Sequence, residues 1–143
     1  LIWDHLCGFP DPTPLADVDL VYFDPADVSP ARDEALETEL QAGFSGPPWS
    51  VKNQARMHLR NDDPPYRDTA DAIGHWLETA TCIAARLDDD DTVTLLAPHG
   101  IDDLVGLKLR PTPAGRRNRA DFQKRLKQKD WLRRWPKLVA VDD

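Results

Sequence analysis

The sequence has two cysteines, Cys7 and Cys82, and a single methionine, and no run approaches the roughly 18 apolar residues of a membrane-spanning helix. Neither cysteine sits in a CxxC pair or at a Cys/His ligand spacing, so nothing points to a zinc site. Two free thiols in a reducing compartment is the favoured reading, with a Cys7–Cys82 bridge as the alternative. The basic stretch and apolar core of a secretory signal are also missing. A soluble, cytoplasmic protein with no membrane partner is expected. The first residue is Leu, and Leu1 to Leu6 reads as a helix already under way, so further residues are expected upstream.

Positive charge is scarce outside one segment. The formal charge is -7, yet residues 108–137 hold twelve Lys or Arg against Asp121 and Asp130, a net of +10 that leaves -17 for the rest. An acidic body carries a basic tail.

What is present suits one domain: 143 residues with 41% hydrophobic content can bury one core but not two. A single unit spanning 1–143 is the expectation. Gly8 and the prolines from Pro10 to Pro14 end the first helix, and Asp17 to Asp24 follows with the Val, Leu, Tyr and Phe content of a buried strand. Ser29 as N-cap, Pro30 at the first helical position and the Leu36, Leu40 and Phe44 stripe predict a helix over about 30–43. Alternation then predicts a strand over 49–59, with Trp49, Val51 and Asn53 on one face and Lys52, Gln54, Arg56 and His58 on the other. Downstream, Thr69 would cap a short helix, residues 79–87 and 92–97 would form a hairpin around the acidic turn at 88–91, and residues 116–135 a long basic helix. Together these elements describe an α+β domain, with helices packed on a mixed sheet.

Asp17 and Asp19 are the sharpest chemical signal. Residues two apart on a strand point the same way, about 6.7 Å between Cα atoms, so both carboxylates can converge on one ion. Like charges so close resist joint ionisation unless a cation compensates them. Mg²⁺ suits the pair, because it accepts one or two protein carboxylates and fills its shell with water and phosphate oxygens. A solvated strand entrance accounts equally well for so short a motif. The donors Lys52, Gln54 and Arg56 would serve phosphate oxygens if their strand lies beside that of Asp17, or else form a solvated edge. Asn53, on the apolar face, reads as a satisfied buried amide. His58, His75 and His99 lack a zinc spacing and read as structural.

Several blocks keep their order along the chain: Trp3-Asp4-His5-Leu6, residues 14–24 around Asp17-Val18-Asp19, Trp49 to His58, Glu78-Thr79-Ala80-Thr81, and Ala97 to Leu104. Together they resemble a bacterial nucleotidyltransferase-like family within the DNA polymerase β-type superfamily. The resemblance implies a small mixed sheet whose first strand bears D-x-D, matched here by Asp17 and Asp19. It further implies Mg²⁺ or Mn²⁺, an NTP substrate, a glycine turn ahead of the first strand, and a third acid on a later one. The glycine turn would precede Leu1, and Lys52, Asn53 and Gln54 stand where the third acid is expected.

Metal-dependent transfer of NMP from an NTP to an acceptor is the leading expectation, with Lys52, Gln54 and Arg56 near the phosphates. A degenerate nucleotide-binding or RNA-binding module with the same fold is the rival. The basic tail would either complement the acidic body or hold RNA.

Overall fold

A computed structural model describes residues 1–46 and 48–141. It divides into two compact units, one made of residues 1–13 with those from Ile73 onward, the other of Pro14–Ala72. The strands pair as three two-stranded sheets among the described residues, so the α+β class expected from sequence holds.

The Pro14–Ala72 unit is built on β1 (Val18–Tyr22) and β2 (Trp49–Asn53), joined in parallel through helix α2 (Pro30–Gly43). Parallel strands need such a crossover, and Pro30 at the start of α2 supplies the fixed φ that a first helical turn accepts. Alternation buries Val51 and Asn53 and exposes Lys52.

Among the described residues no strand lies beside one edge of β2, and α2 satisfies that edge with side chains. Gln41 accepts from the Trp49 amide (3.4 Å), Glu37 from Val51 (3.0 Å) and Asp33 from Asn53 (3.1 Å). The match is geometric: four residues of helix rise about 6 Å, close to the 6.7 Å of two strand residues. The N–H row that would otherwise invite another chain is thereby occupied.

β2 ends at Asn53, and the strand expected to continue to residue 59 does not form. Residues 54–56 are a 3₁₀ turn, followed by α3 (His58–Asn61). The Asn53 side chain causes the change. Its Oδ1 accepts from the Ala55 and Asp24 amides, and its Nδ2 donates to the Asp24 and Asp27 carbonyls, so every amide atom of a wholly buried residue is used. Four hydrogen bonds at the turn outweigh the alternating pattern. Next, α4 (Thr69–Gly74) starts beneath Asp68, whose carboxylate takes the Asp71 amide; Thr69 is not the cap.

In the other unit, α1 (Ile2–Cys7) ends at Gly8 with φ 81°, the left-handed conformation that glycine adopts without cost. A 3₁₀ turn at residues 79–81 replaces the first part of the expected strand, so the hairpin narrows to β3 (Ala84–Leu87) and β4 (Val93–Leu96). The turn forms because the Thr81 hydroxyl and Cys82 thiol both donate to the Glu78 carbonyl. Then come α5 (Asp102–Val105) and β5 (Lys108–Leu109), which pairs in parallel with β6 (Val139–Ala140).

The expected long basic helix is three: α6 (Pro113–Arg117), α7 (Arg119–Lys129) and α8 (Trp131–Arg134). Asp130 adopts φ 52°, which breaks the helical path. In an unbroken helix Trp131 would point about 180° from Phe122. The break brings it to the same side, where Trp3, Leu109, Phe122, Leu126, Trp131, Trp135 and Leu138 form one core. Trp3 meets Trp131 and Trp135 edge-on, with ring centres 5.8 and 5.1 Å apart.

Candidate functional site

Alternation gives the β1–β2 pair two faces, and α2 runs along the β2 edge. In the parallel register Asp19 lies beside Ser50, and Val21 beside Lys52. Alternation therefore gathers Asp19, Ser50 and Lys52 on one side, with Asp19 and Lys52 exposed and Ser50 half-buried. Asp17, also exposed, immediately precedes β1, where the Val18 amide donates to the Pro48 carbonyl (2.9 Å) and continues the pairing. Extended chain at this point sets Asp17 and Asp19 two residues apart at the entrance of the strand.

Lys52 donates to the Val51 carbonyl (2.9 Å) and lies 3.6 Å from the Glu37 carboxylate. Gln54 and Arg56 depart from the expected donor ladder, because the chain turns after Asn53. Gln54 is buried, its Nε2 donating to the Lys52 carbonyl (3.2 Å), while its Oε1 has no hydrogen-bond partner. Arg56 is ion-paired to Asp33, and its Nη1 is buried and unpartnered.

Asp33 is the residue that sequence reasoning missed. It lies in the first turn of α2, where the helix dipole favours an acid, yet it is buried at the ends of both strands and accepts from the Tyr22 hydroxyl (2.7 Å), the Asn53 amide and Arg56. Burial alone would raise its pKa, but the bonds from Arg56 and Tyr22 and the Asn53 amide outweigh that and hold it below the usual carboxylate range. The Tyr22 phenol is pushed up to about 12, first by burial and then by the Asp33 carboxylate. One signal was available in the sequence: Asp33, Glu37 and Gln41 recur at four-residue spacing, all able to accept hydrogen bonds.

Residues 1–140 match the family model described as nucleotidyltransferase. The chain belongs to that family. Nothing among the curated proteins matches it. Among solved structures, this nucleotidyltransferase-family chain is similar to one determined by NMR and described as revealing a CCA-adding enzyme head domain. The two are 30% identical, superpose with a TM-score of 0.77, and the match covers 89% of this chain and 68% of the other. Family and fold agree with nucleotidyl transfer as the general activity.

The remaining polar clusters of this family member hold its larger unit together. Glu78, fully buried, takes Arg125 (2.9 Å) and the Thr81 hydroxyl (3.0 Å); burial raises its pKa, and the nearby Arg125 opposes that. Asp103 accepts from the Thr79 hydroxyl (2.7 Å) and Arg110 (3.0 Å). Asp4 accepts from the Trp135 indole (2.7 Å) and the Thr13 amide (3.0 Å). His99 bonds the Gly74 carbonyl (2.8 Å) in that unit and, in the Pro14–Ala72 unit, His58 bonds the Ala55 carbonyl (3.0 Å), the structural roles expected of them. Asp88, in the acidic turn, is held by Arg86 and Thr94. No helix among the described residues is long and apolar enough to cross a membrane.

Proposed function

We propose that the chain transfers a nucleoside monophosphate from an NTP to an acceptor, with Asp17 and Asp19 as the carboxylates that hold Mg²⁺ or Mn²⁺. The observation that carries this reading is an exposed acidic pair at the entrance of β1 in a member of the nucleotidyltransferase family. The donor set fits the ion: two hard oxygen ligands suffice for Mg²⁺, which draws its remaining ligands from water and phosphate. No group of three or more His, Cys, Asp or Glu side chains competes for it among the described residues. When bound, the ion supplies positive charge against the triphosphate and the acceptor oxygen.

In the reaction an acceptor hydroxyl oxygen forms a bond to the α-phosphorus, and the bond from that phosphorus to pyrophosphate breaks. Lys52 shares the face of Asp19 and is exposed, so its ammonium is the donor we assign to the phosphates. Gln54 and Arg56 join it only if the turn rearranges, because their free atoms, Oε1 and Nη1, are buried. Similarity to a CCA-adding head domain supports a polynucleotide end as the acceptor.

A second reading is a nucleotide-binding module without turnover. It is favoured by β2, which presents Ser50 and Lys52 beside Asp19 and Val21 and no acid. Asp19→Asn separates the possibilities. It keeps the shape but removes one charged ligand, so Mn²⁺ affinity by calorimetry should fall at least about tenfold and labelled-NMP transfer should collapse, while melting is unchanged or higher as a repulsive pair is relieved. Wild-type Mn²⁺ binding without transfer would select the module, and unchanged Mn²⁺ affinity in the variant would make both acids structural.

A further inference from the structure

The basic tail spends only part of its charge on neighbouring acids. Arg125 pairs with Glu78, Arg110 with Asp103 and Arg133 with Asp130, and Arg116, Arg117 and Arg119 are engaged as well. Lys124, Lys127 and Lys129 of α7 are exposed, and among the described residues no acid pairs with any of them. Three uncompensated ammonium groups within six residues therefore stand on one short helix, in a protein whose total charge is -7.

The company these lysines keep narrows the partner. No large apolar residue on α7 is exposed, whereas protein interfaces are built around an apolar and aromatic centre. Nucleic-acid interfaces are polar and strongly positive. Gln128 is exposed next to Lys127 and Lys129, and Gln123 is half-buried beside Lys124; an amide both donates and accepts, as a ribose 2′-hydroxyl requires. Lys127 and Gln123 also border a groove of about 490 Å³ with Phe122, Leu126 and Leu132 among its lining residues. That apolar lining can take the face of an unstacked base while the lysine meets its phosphate.

We infer that α7 and the adjoining groove form a binding surface for single-stranded RNA, with Lys124, Lys127 and Lys129 on the phosphodiester backbone and Gln123 and Gln128 on the sugar. This deepens the reading above by naming the class of acceptor. It is measured without nucleotide or metal, so the two stand or fall separately.

The test is fluorescence anisotropy of a labelled 20-nucleotide single-stranded RNA with the full chain across a KCl series. The variants are the triple Lys124→Ala/Lys127→Ala/Lys129→Ala, the double Gln123→Ala/Gln128→Ala, and Asp19→Asn. Each phosphate contact to a single strand contributes about 0.7 to the slope of log K against log salt, so the triple variant should lower that slope by about 2 and weaken binding at least about tenfold. The glutamine variant should bind RNA and the matching DNA alike, while wild type prefers RNA and Asp19→Asn binds as wild type does. All five lie on the surface or at a groove wall, and thermal melting checks that each variant is folded. RNA binding absent from wild type, or unchanged in a folded triple variant, overturns the assignment. DNA or poly-glutamate held by wild type as tightly as RNA overturns the choice of partner.

Discussion

Replacing Asp33 by Ala should destabilise the Pro14–Ala72 unit by about 3–5 kcal/mol, the range for removing one partner of a buried ion pair. The structure supports the upper half of that range. The change leaves Arg56, mostly buried, without its counter-charge, and leaves the Tyr22 hydroxyl and Asn53 amide without their acceptor. Each stranded group costs about 1–3 kcal/mol if water cannot reach it, and partial relaxation keeps the sum within the pair-breaking range. Asp33→Asn should cost less than Ala, because its carbonyl can still accept, yet more than about 1 kcal/mol because the guanidinium stays uncompensated. Urea unfolding at pH 7 gives the total. Hydrogen exchange at residues 49–53 gives the local share, with the Asn53 amide losing protection first. The pH sign follows from the lowered carboxylate: Asp33 contributes fully above its unfolded pKa, near 4, and that contribution fades as pH falls through the lower folded value. A loss below about 1 kcal/mol for Asp33→Ala would place the pair with ordinary surface ion pairs and refute the reasoning.

Three further outcomes are expected. The Cys82 thiol is pushed up to about 12, by burial first and then by the Glu78 carboxylate, so at pH 8 a thiol reagent should modify the half-buried Cys7 alone until the chain unfolds; two equivalents reacting quickly with the native protein would contradict this. Asp4 is held well below the usual carboxylate range: burial opposes ionisation, but bonds from Thr13 and Trp135 outweigh it. Asp4→Asn should therefore flatten the loss of stability that wild type shows as pH falls below about 4, and parallel curves in acid melting would count against it. Gly115→Ala should cost more than about 2 kcal/mol, because its added carbon would collide with the Leu77 carbonyl oxygen; a melting curve matching wild type would show that the backbone yields there.

Local chemistry determined much of this protein from sequence alone. Pro30 placed the start of α2, and Gly8 the end of α1, because a fixed φ and backbone freedom depend on a few neighbouring residues; the Ser29 side chain makes no capping bond. A strand within Asp17–Asp24, narrower and less buried than expected, the buried amide of Asn53 and the likeness to nucleotidyltransferases were legible for the same reason. Alternation and block order survive in one dimension. The three-dimensional partners did not. Strict alternation from Trp49 to Leu59 gave no sign that the Asn53 side chain would bend the chain, and helix-forming residues from 116 to 135 gave none that Trp131 had to turn toward Trp3. Asp33 looked like one more acid at a helix start until folding brought Tyr22, Asn53 and Arg56 around it. Which lysines of the tail remain uncompensated was likewise settled by position, since an ion pair depends on distance between side chains and not on the balance of charges in the chain.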